Sequence, residues 1–157
     1  MFKLLVNHHK KNSFVNQFRQ KRFELLKNGI EKLIQKDHFK ILDIGGDIQY
    51  WKNIGWQHPA CKIHLLNLYE SKVPENETHQ FSSSVGNGLS LEYKKGDVDL
   101  IFSNSVIEHV GSYANQQIFA GEVRRVSDKY IVQSPSIWFP LEPHSLIPLF
   151  QFLPHSI

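Results

Sequence analysis

The feature that most constrains the fold is the stretch at residues 40–46, Lys-Ile-Leu-Asp-Ile-Gly-Gly. An apolar run that contains one carboxylate, Asp43, and ends in two glycines is typical of a buried parallel strand that stops in a tight turn. In an open α/β sheet, ligands bind beyond the carboxyl ends of the strands, where glycine lets the backbone approach them closely. The stretch therefore predicts a ligand crevice faced by Asp43 and Gly45. The alternative is a surface turn in which Asp43 caps the next helix.

The composition fits one globular domain and excludes several classes of protein. The chain has 157 residues, of which 41% are hydrophobic and 12% aromatic, enough for a core. The net charge of +3 is too small to indicate a dedicated nucleic-acid binder. The single cysteine, Cys61, cannot form an internal disulfide and favours a reducing, cytoplasmic location. No apolar run approaches the roughly 18 residues of a membrane span, and residues 1–6 are too short for a secretory signal.

Strand and helix patterns alternate along the chain. Apolar runs predict strands in the stretch above and at residues 62–68, 80–83, 97–104 and 129–134. Helical patterns begin after Ser13, where Leu25 and Leu26 lie on the predicted packing side and Asn28-Gly29 ends or bends the helix, and recur at residues 47–54 and 113–126. Such alternation predicts an α/β fold with a doubly wound, mostly parallel sheet.

The single domain is predicted to have three parts. Residues 1–38 form a helical segment, residues 39–134 the sheet core, and residues 135–157 an aromatic, proline-rich tail. The prolines make a long helix or a central strand unsuitable for the tail. We expect the tail to pack over the sheet or to line a pocket. A membrane-surface role is the alternative, although the tail lacks the basic face of an interfacial helix.

Polar residues follow the later strands. Asn67 lies 24 positions after Asp43, close to the offset of about 20 at which nucleotide-binding folds place a ribose contact, and Glu70 could do the same work. Asn87 stands between Gly86 and Gly88, where its amide could donate to and accept from a purine. Asparagine between glycines is also ordinary turn chemistry.

Together with Asp-Leu-Ile-Phe-Ser-Asn-Ser-Val-Ile-Glu-His-Val at residues 99–110, these segments resemble the successive motifs of class I S-adenosylmethionine-dependent methyltransferases, of the methyltransferase type 11-like kind. The resemblance covers residues 39–134 in the right order. It implies a Rossmann-like fold and S-adenosyl-L-methionine as cofactor. By position it implies that Asp43, Gly45 and Gly46 hold the amino-acid end of the cofactor, Asn67 the ribose and Asn87 the adenine, and that Ser103 and Asn104 form the wall beneath the methionine chain.

The chain departs from the family pattern in three ways. The family usually has Gly-x-Gly-x-Gly after the acid, whereas Asp47 and Gln49 hold the second and third glycine places. Asn67 and Asn87 stand where an acid is more common, so their hydrogen bonds lack charge assistance and a lower cofactor affinity is expected. The family core also continues into a sixth and a seventh strand, and no convincing pair follows residue 134. Either the tail replaces them or the domain is truncated after the fifth strand, with an exposed edge that favours homo-oligomers or loss of activity.

The reaction that the resemblance implies is attack by an oxygen, nitrogen or carbon nucleophile on the cofactor's methyl carbon. Catalysis of that step can rest on alignment and exclusion of water. Where a base is needed, the candidates are His144, His109, Glu108 and Glu142. Each also has a structural interpretation: Glu108 at a helix start, His109 as a packed histidine, and residues 142–144 as a loop. The expected acceptor is a small molecule, and the tail suggests an apolar or flat one.

Other functions remain as alternatives. A nicotinamide-dependent oxidoreductase would need Gly-x-Gly-x-x-Gly after the first strand, and residues 45–50 lack the later glycines. A shortened methyltransferase-like domain that serves in binding or assembly fits the altered glycine loop. A metal site is not expected, because the nine histidines form no helical His-x-x-x-His pair.

Overall fold

A five-stranded parallel sheet forms the centre of the computed structural model, which describes residues 14–56 and 58–135, with side chains from residue 20 onward. The strands are β1 (Phe39–Ile44), β2 (Cys61–Asn67), β3 (Phe81–Val85), β4 (Leu100–Asn104) and β5 (Tyr130–Gln133). The helices are α1 (Phe14–Leu33), α2 (Ile48–Asn53) and α3 (Tyr113–Val126), and short 3-10 helices lie at Glu75–Glu77 and Ile107–His109. The strand order is β3-β2-β1-β4-β5 and every adjacent pair is parallel, which confirms the predicted Rossmann-like sheet.

The predicted ligand stretch forms the middle strand. β1 pairs with β2 in the register Asp43↔Leu65 and with β4 in the register Asp43↔Phe102. With the chain passing from β1 to β2 on one side and to β4 on the other, the strand order reverses beside β1. Ligands of doubly wound sheets bind at such a switch point, beyond the carboxyl ends of the strands.

Helices cover both faces of the sheet. On one face α1 and α2 bury Ile30, Trp51 and Ile54 against strand residues that include Ile41 and Phe102. On the other face α3 buries a second apolar cluster. Its members are Leu42, Ile44, Leu66, Leu91, Val98, Ile101, Phe119, Val123 and Val126. Because successive residues of a strand point to opposite faces, Asp43 shares the face of Ile41 and α2.

The predicted elements are confirmed in type, with two corrections to the first helix. Asn28-Gly29 neither ends nor interrupts α1, because Leu26 and Ile30 continue one buried side across the glycine. Leu25, which we expected on the packing side, is 65% exposed. The helix is therefore set by the apolar stripe, which outweighs the local cost of glycine.

The fourth strand is shorter than predicted. β4 begins at Leu100, although the strand pattern starts at Asp97. Residues 94–97 form a turn in which the Asp97 carboxylate accepts a 2.7 Å hydrogen bond from the Lys94 N–H. The Asp99 carboxylate accepts another, of 2.9 Å, from the Lys40 N–H at the start of β1. Both carboxylates thus accept backbone N–H groups that could otherwise take part in strand pairing, as short acidic side chains commonly do.

The tail at residues 136–157 lies outside the described residues. Whether it packs over the sheet, or replaces further strands, therefore stays a prediction. Within the ranges that the structure describes, none of the helices has the length and apolar content needed to cross a membrane.

Candidate functional site

The turn after β1 contains a position, Gly45, at which the fold requires glycine. Gly45 has φ +74°, a left-handed conformation, and an added Cβ would lie 2.4 Å from Cγ2 of Val106 in the loop after β4. The Gly45 N–H donates a 2.8 Å hydrogen bond to the Leu66 carbonyl at the end of β2. Glycine is needed here because both the backbone angle and the close contact exclude a side chain. The loops after β1 and β4 thus touch at the switch point.

Asp43 lies directly beneath the second glycine. An added Cβ at Gly46 would lie 2.0 Å from Oδ2 of Asp43. The Asp43 side chain is only 2% exposed, and its Oδ2 accepts a 2.6 Å hydrogen bond from Nε1 of Trp51 on α2. The Asp43 carboxyl group therefore packs directly against the backbone of the turn at Gly46.

The surroundings of Asp43 change its acidity. The pKa of the carboxyl group is raised from 3.8 to about 7. Burial is the largest cause of the rise, the Trp51 hydrogen bond opposes it, and the negative charge of Asp47 adds to it. A buried carboxylate with one donor is poorly compensated for the loss of water, so the neutral form is favoured. Near neutral pH the group is divided between its protonated and charged forms.

Asparagine side chains lie at the carboxyl ends of the two strands beyond β1. The Nδ2 of Asn67 donates a 3.1 Å hydrogen bond to the Gly46 carbonyl, which ties the end of β2 to the glycine turn. Asn87 is exposed after β3, and its Oδ1 accepts a 2.9 Å hydrogen bond from the Leu89 N–H. Asn87 thus forms the predicted turn, and because the residue is exposed its amide nitrogen can donate a hydrogen bond to a ligand.

The end of β4 contributes one buried and one accessible residue. Ser103 is fully buried, and its Oγ donates a 3.1 Å hydrogen bond to the Ile44 carbonyl. Asn104 is half-buried at the last position of the strand. Ser105, which follows, has φ 59°, an uncommon conformation for a residue with a side chain. Strain of this kind collects at ligand sites.

The Glu108-His109 pair precedes helix α3. Both residues belong to the 3-10 helix Ile107–His109, whereas α3 begins at Tyr113 with Ser112 as its N-cap. The helix predicted at residues 113–126 is confirmed, and Glu108 lies in the first turn of the short 3-10 helix that precedes it. Both carboxylate oxygens of Glu108 are buried, and neither has a hydrogen-bond partner among the described residues. A carboxylate in that condition favours a cationic or donor-bearing ligand beside it. His109 is exposed.

The fold brings most of the predicted site residues to one edge of the sheet. Asp43, Gly46 and Asn67 are joined by direct contacts, and Ser103 is bonded to β1. Asn104 is the last residue of β4, and Asn87 and Glu108 follow the carboxyl ends of β3 and β4. Glu142 and His144 lie outside the described residues. Glu70, the alternative ribose contact, is exposed three residues after β2.

Two residues of this edge were missed by sequence reasoning. The sequence patterns gave Trp51 no part in the site, although its indole N–H is the donor that reaches Asp43. Trp51 lies eight residues after Asp43 in the sequence. This spacing predicts a hydrogen bond between them only when it is known that α2 packs back against β1. Val106 makes Gly45 necessary, but the two belong to loops that are distant in sequence. In the part of the chain that the structure describes, no group of three His, Cys, Asp or Glu residues could hold a metal ion.

Comparison with known proteins gives a likeness in structure alone. No family model and no curated protein sequence matches the chain. A provisionally assigned methyltransferase of an antibiotic biosynthesis pathway from Anabaena variabilis matches with a TM-score of 0.55 and 16% identity over 76% of this chain and 48% of its own. A SAM-dependent methyltransferase from Aquifex aeolicus matches with a TM-score of 0.50 and 13% identity over 84% and 79%. The chain has the fold of class I methyltransferases.

A further solved structure agrees with this fold. The PH0226 protein from Pyrococcus horikoshii matches with a TM-score of 0.54 and 20% identity, over 73% of this chain and 57% of its own. The methyltransferase-fold chain thus spans about half the length of the Anabaena and Pyrococcus proteins. At such identities the likeness describes the arrangement of strands and helices, and the chemistry depends on the site itself.

Proposed function

We propose that this chain is an S-adenosylmethionine-dependent methyltransferase that acts on a small-molecule acceptor. The observation that carries the proposal is the buried Asp43 beneath the Gly45-Gly46 turn, at the carboxyl end of the central strand of a methyltransferase fold. In such sheets the turn after the first strand is where a nucleotide-like ligand approaches the backbone most closely.

The residues at this edge suit the chemical groups of the cofactor. S-adenosylmethionine carries a sulfonium and an ammonium group, and the edge offers the carboxyl groups of Asp43 and Glu108 to balance positive charge. The amides of Asn67, Asn87 and Asn104 can donate to and accept from ribose hydroxyls and the purine edge. Asp43 reaches the ligand only past Gly46, so we expect its effect on the cofactor to be partly electrostatic.

When bound, the cofactor supplies a methyl group on a sulfonium that leaves readily. The chain's own part is then to fix the turn after β1, to hold the acceptor in line and to exclude water. Glu108 is the described carboxylate that we propose as the base, because both of its oxygens lie buried at this edge and make no hydrogen bond to a described residue. His109, Glu142 and His144 remain predicted bases from the sequence.

Binding without methyl transfer is a second candidate function. It is favoured by the hydrogen bond from Trp51 to Asp43, because that bond already engages one oxygen of the carboxylate. A domain of this kind would hold the cofactor or a partner and turn over slowly or not at all.

The choice of cofactor can be tested by thermal denaturation with S-adenosylhomocysteine and, separately, with NADH. A ligand present at about 100 times its dissociation constant stabilises the folded chain by about 2.7 kcal/mol. We expect a rise in Tm with S-adenosylhomocysteine alone. A rise with NADH alone, or with neither, would refute the cofactor assignment.

The site can be tested with matched asparagine variants. Asn87→Ala should weaken S-adenosylhomocysteine binding by about tenfold, the loss of one good hydrogen bond. Asn53→Ala on the exposed side of α2 makes the same chemical change away from the edge and should leave binding unaltered. Equal effects of the two would remove Asn87 from the site. Binding without formation of S-adenosylhomocysteine from S-adenosylmethionine, across a panel of small acceptors, would favour the second candidate function.

A further inference from the structure

A row of polar side chains lies on the sheet face against which α3 packs. His64 of β2 is aligned with Leu42 of β1 and with Ser82 of β3, and Leu42 belongs to the apolar cluster beneath α3. Ser84 follows Ser82 by two residues and therefore points to the same face. Asp43 points to the opposite face, next to Leu42 in the strand. The row is thus separate from the candidate cofactor site.

The imidazole of His64 bonds a serine at each ring nitrogen. Nδ1 of His64 lies 2.8 Å from Oγ of Ser82, and Nε2 lies 2.8 Å from Oγ of Ser84. A neutral imidazole donates from one nitrogen and accepts at the other. With the proton on Nε2, Ser84 accepts that bond and Nδ1 accepts the hydroxyl proton of Ser82. This is the arrangement of a nucleophile, a base and a third group that orients the base.

The two serines differ in their access to solvent. Ser82 is exposed, whereas Ser84 and His64 are half-buried. Ser84 also interacts with the phenol of Tyr93, because burial raises the pKa of Tyr93 and the Ser84 hydroxyl opposes that rise. The Tyr93 ring packs edge-on against His64, with 6.3 Å between the ring centroids. Ser84 and Tyr93 therefore hold the imidazole, and Ser82 is the hydroxyl that a reagent from solvent can reach.

The charge of the imidazole suits a base. Burial lowers the pKa of His64, and the positive charge of Lys40 also lowers it. His64 is therefore neutral at pH 7 and able to accept a proton. Lys40 lies on β1, with its ammonium group 5.8 Å from the centre of the Tyr93 ring. A cation near the imidazole also favours the negative charge that develops when a hydroxyl attacks a carbonyl group.

We propose that Ser82 is a nucleophile activated by His64 and that it cleaves small carboxylic esters. Oγ of Ser82 forms a bond to the ester carbonyl carbon while its proton passes to Nδ1 of His64. The bond from that carbon to the alcohol oxygen then breaks, and the leaving oxygen takes the proton from His64. Water attacks the acyl-serine by the same route, which releases the carboxylic acid and restores the Ser82 hydroxyl. Methyl transfer and this hydrolysis share no residue, so either assignment can fail without the other.

Covalent labelling tests the nucleophile. Diisopropyl fluorophosphate forms a stable bond from phosphorus to Oγ of an activated serine and releases fluoride. We expect one adduct per chain, located at Ser82 by mass spectrometry of peptides and absent from Ser82→Ala. Ser90→Ala is the matched control, because Ser90 is exposed in the turn after β3 and neither ring nitrogen of His64 bonds it. It should label as fast as the wild type. An unlabelled wild-type chain, or an adduct that persists in Ser82→Ala, would overturn the proposal.

The base is tested by the rate of labelling. His64→Gln keeps an amide in place of the ring but removes the proton acceptor, and should slow labelling by about 100-fold or more. In the wild-type chain the rate should rise as His64 loses its proton, with a midpoint below pH 6.5. Lys40 faces His64 from β1. Glu92 and Asp97 act on Tyr93 in the loop after β3. A rate that is flat between pH 4 and 8, or equal rates for His64→Gln and the wild type, would remove His64 from the reaction.

A pair of variants at Ser84 tests its role as a positioning residue. Ser84→Ala removes the acceptor of the Nε2 proton and should slow labelling about tenfold, whereas Ser84→Thr keeps a hydroxyl and should restore the rate. Release of p-nitrophenol from p-nitrophenyl acetate should follow the same order of variants. Equal rates for the two Ser84 variants would remove Ser84 from the site. Labelling of Ser82 without turnover of p-nitrophenyl acetate would overturn the hydrolytic step.

Discussion

The indole nitrogen of Trp51 donates a 2.6 Å hydrogen bond to the Asp43 carboxylate beneath the glycine turn. This bond joins α2 to the central strand at the point where the strand meets the Gly45-Gly46 turn. The bond also lowers the pKa of Asp43 and so opposes the larger effect of burial, which raises it. The resulting pKa is about 7. The stability of the chain and the charge of its candidate site are therefore linked through one carboxyl group.

Asp43→Asn should flatten the dependence of stability on pH. Between pH 4 and 7 the folded wild-type chain holds a proton on Asp43 that the unfolded chain has released, so its free energy of unfolding falls as pH rises and levels off above pH 7. A shift from 3.8 to about 7 corresponds to about 4 kcal/mol over that range. Urea denaturation at pH 4.5, 5.5, 6.5 and 7.5 measures both slopes.

The control for this change is Asp128→Asn. Asp128 is an exposed carboxylate paired with Lys95, and its removal should leave the wild-type slope in place. If Asp43→Asn and the wild type lose stability in parallel between pH 4.5 and 7.5, the acid does not titrate near 7.

Trp51→Phe should raise the pKa of Asp43 above its present value. The substitution removes the hydrogen bond that favours the charged form and leaves burial to act alone. We also expect a loss of about 1–3 kcal/mol in the free energy of unfolding, the usual cost of an unpaired buried acceptor. A ¹³C NMR titration of the Asp43 carboxyl carbon measures the pKa. Trp56→Phe, which removes a neighbouring indole with no bond to Asp43, should leave that titration unmoved.

Gly46→Ala should destabilise the chain. A methyl group there would lie 2.0 Å from Oδ2 of Asp43, so the carboxyl group or the turn must move, at a cost of about 1–3 kcal/mol. Gly121→Ala is the matched control, because nothing lies within 4 Å of an added Cβ at this exposed position of α3. It should stabilise the helix by up to about 1 kcal/mol. Urea midpoints that move in the same direction for both variants would contradict the contact.

Cys61 should be almost unreactive in the folded chain. The thiol is fully buried, and its pKa of about 11 lowers the thiolate fraction by about 100-fold relative to a thiol of pKa 9. Ellman's reagent should therefore react slowly under native conditions and rapidly in urea, with one thiol released per chain. Equal rates in both conditions would show that the start of β2 opens easily.

Sequence patterns predicted the five strands, their parallel arrangement and the edge at which polar residues gather. They succeeded because strand and helix periodicity are local and parallel strands place their carboxyl ends together. They failed where a distant contact decides the result. The indole bond to Asp43 and the contact of Val106 with Gly45 each join residues from separate segments. Local propensity also predicted that Asn28-Gly29 would end or bend the first helix. The helix continues past the glycine because Ile30 is buried on the same side as the residues before it.

The pairing of β1 with β4 has a consequence for synthesis of the chain. Ile41 is aligned with Leu100, 59 residues later, so one side of the middle strand stays without its neighbour until the ribosome has released residue 104. Non-local pairing of this kind slows folding and leaves apolar segments accessible for longer. We therefore expect residues 41–44 of the nascent chain to be accessible to chaperones. A chaperone should capture chains on ribosomes stalled before residue 100 more readily than chains on ribosomes that have released residue 104.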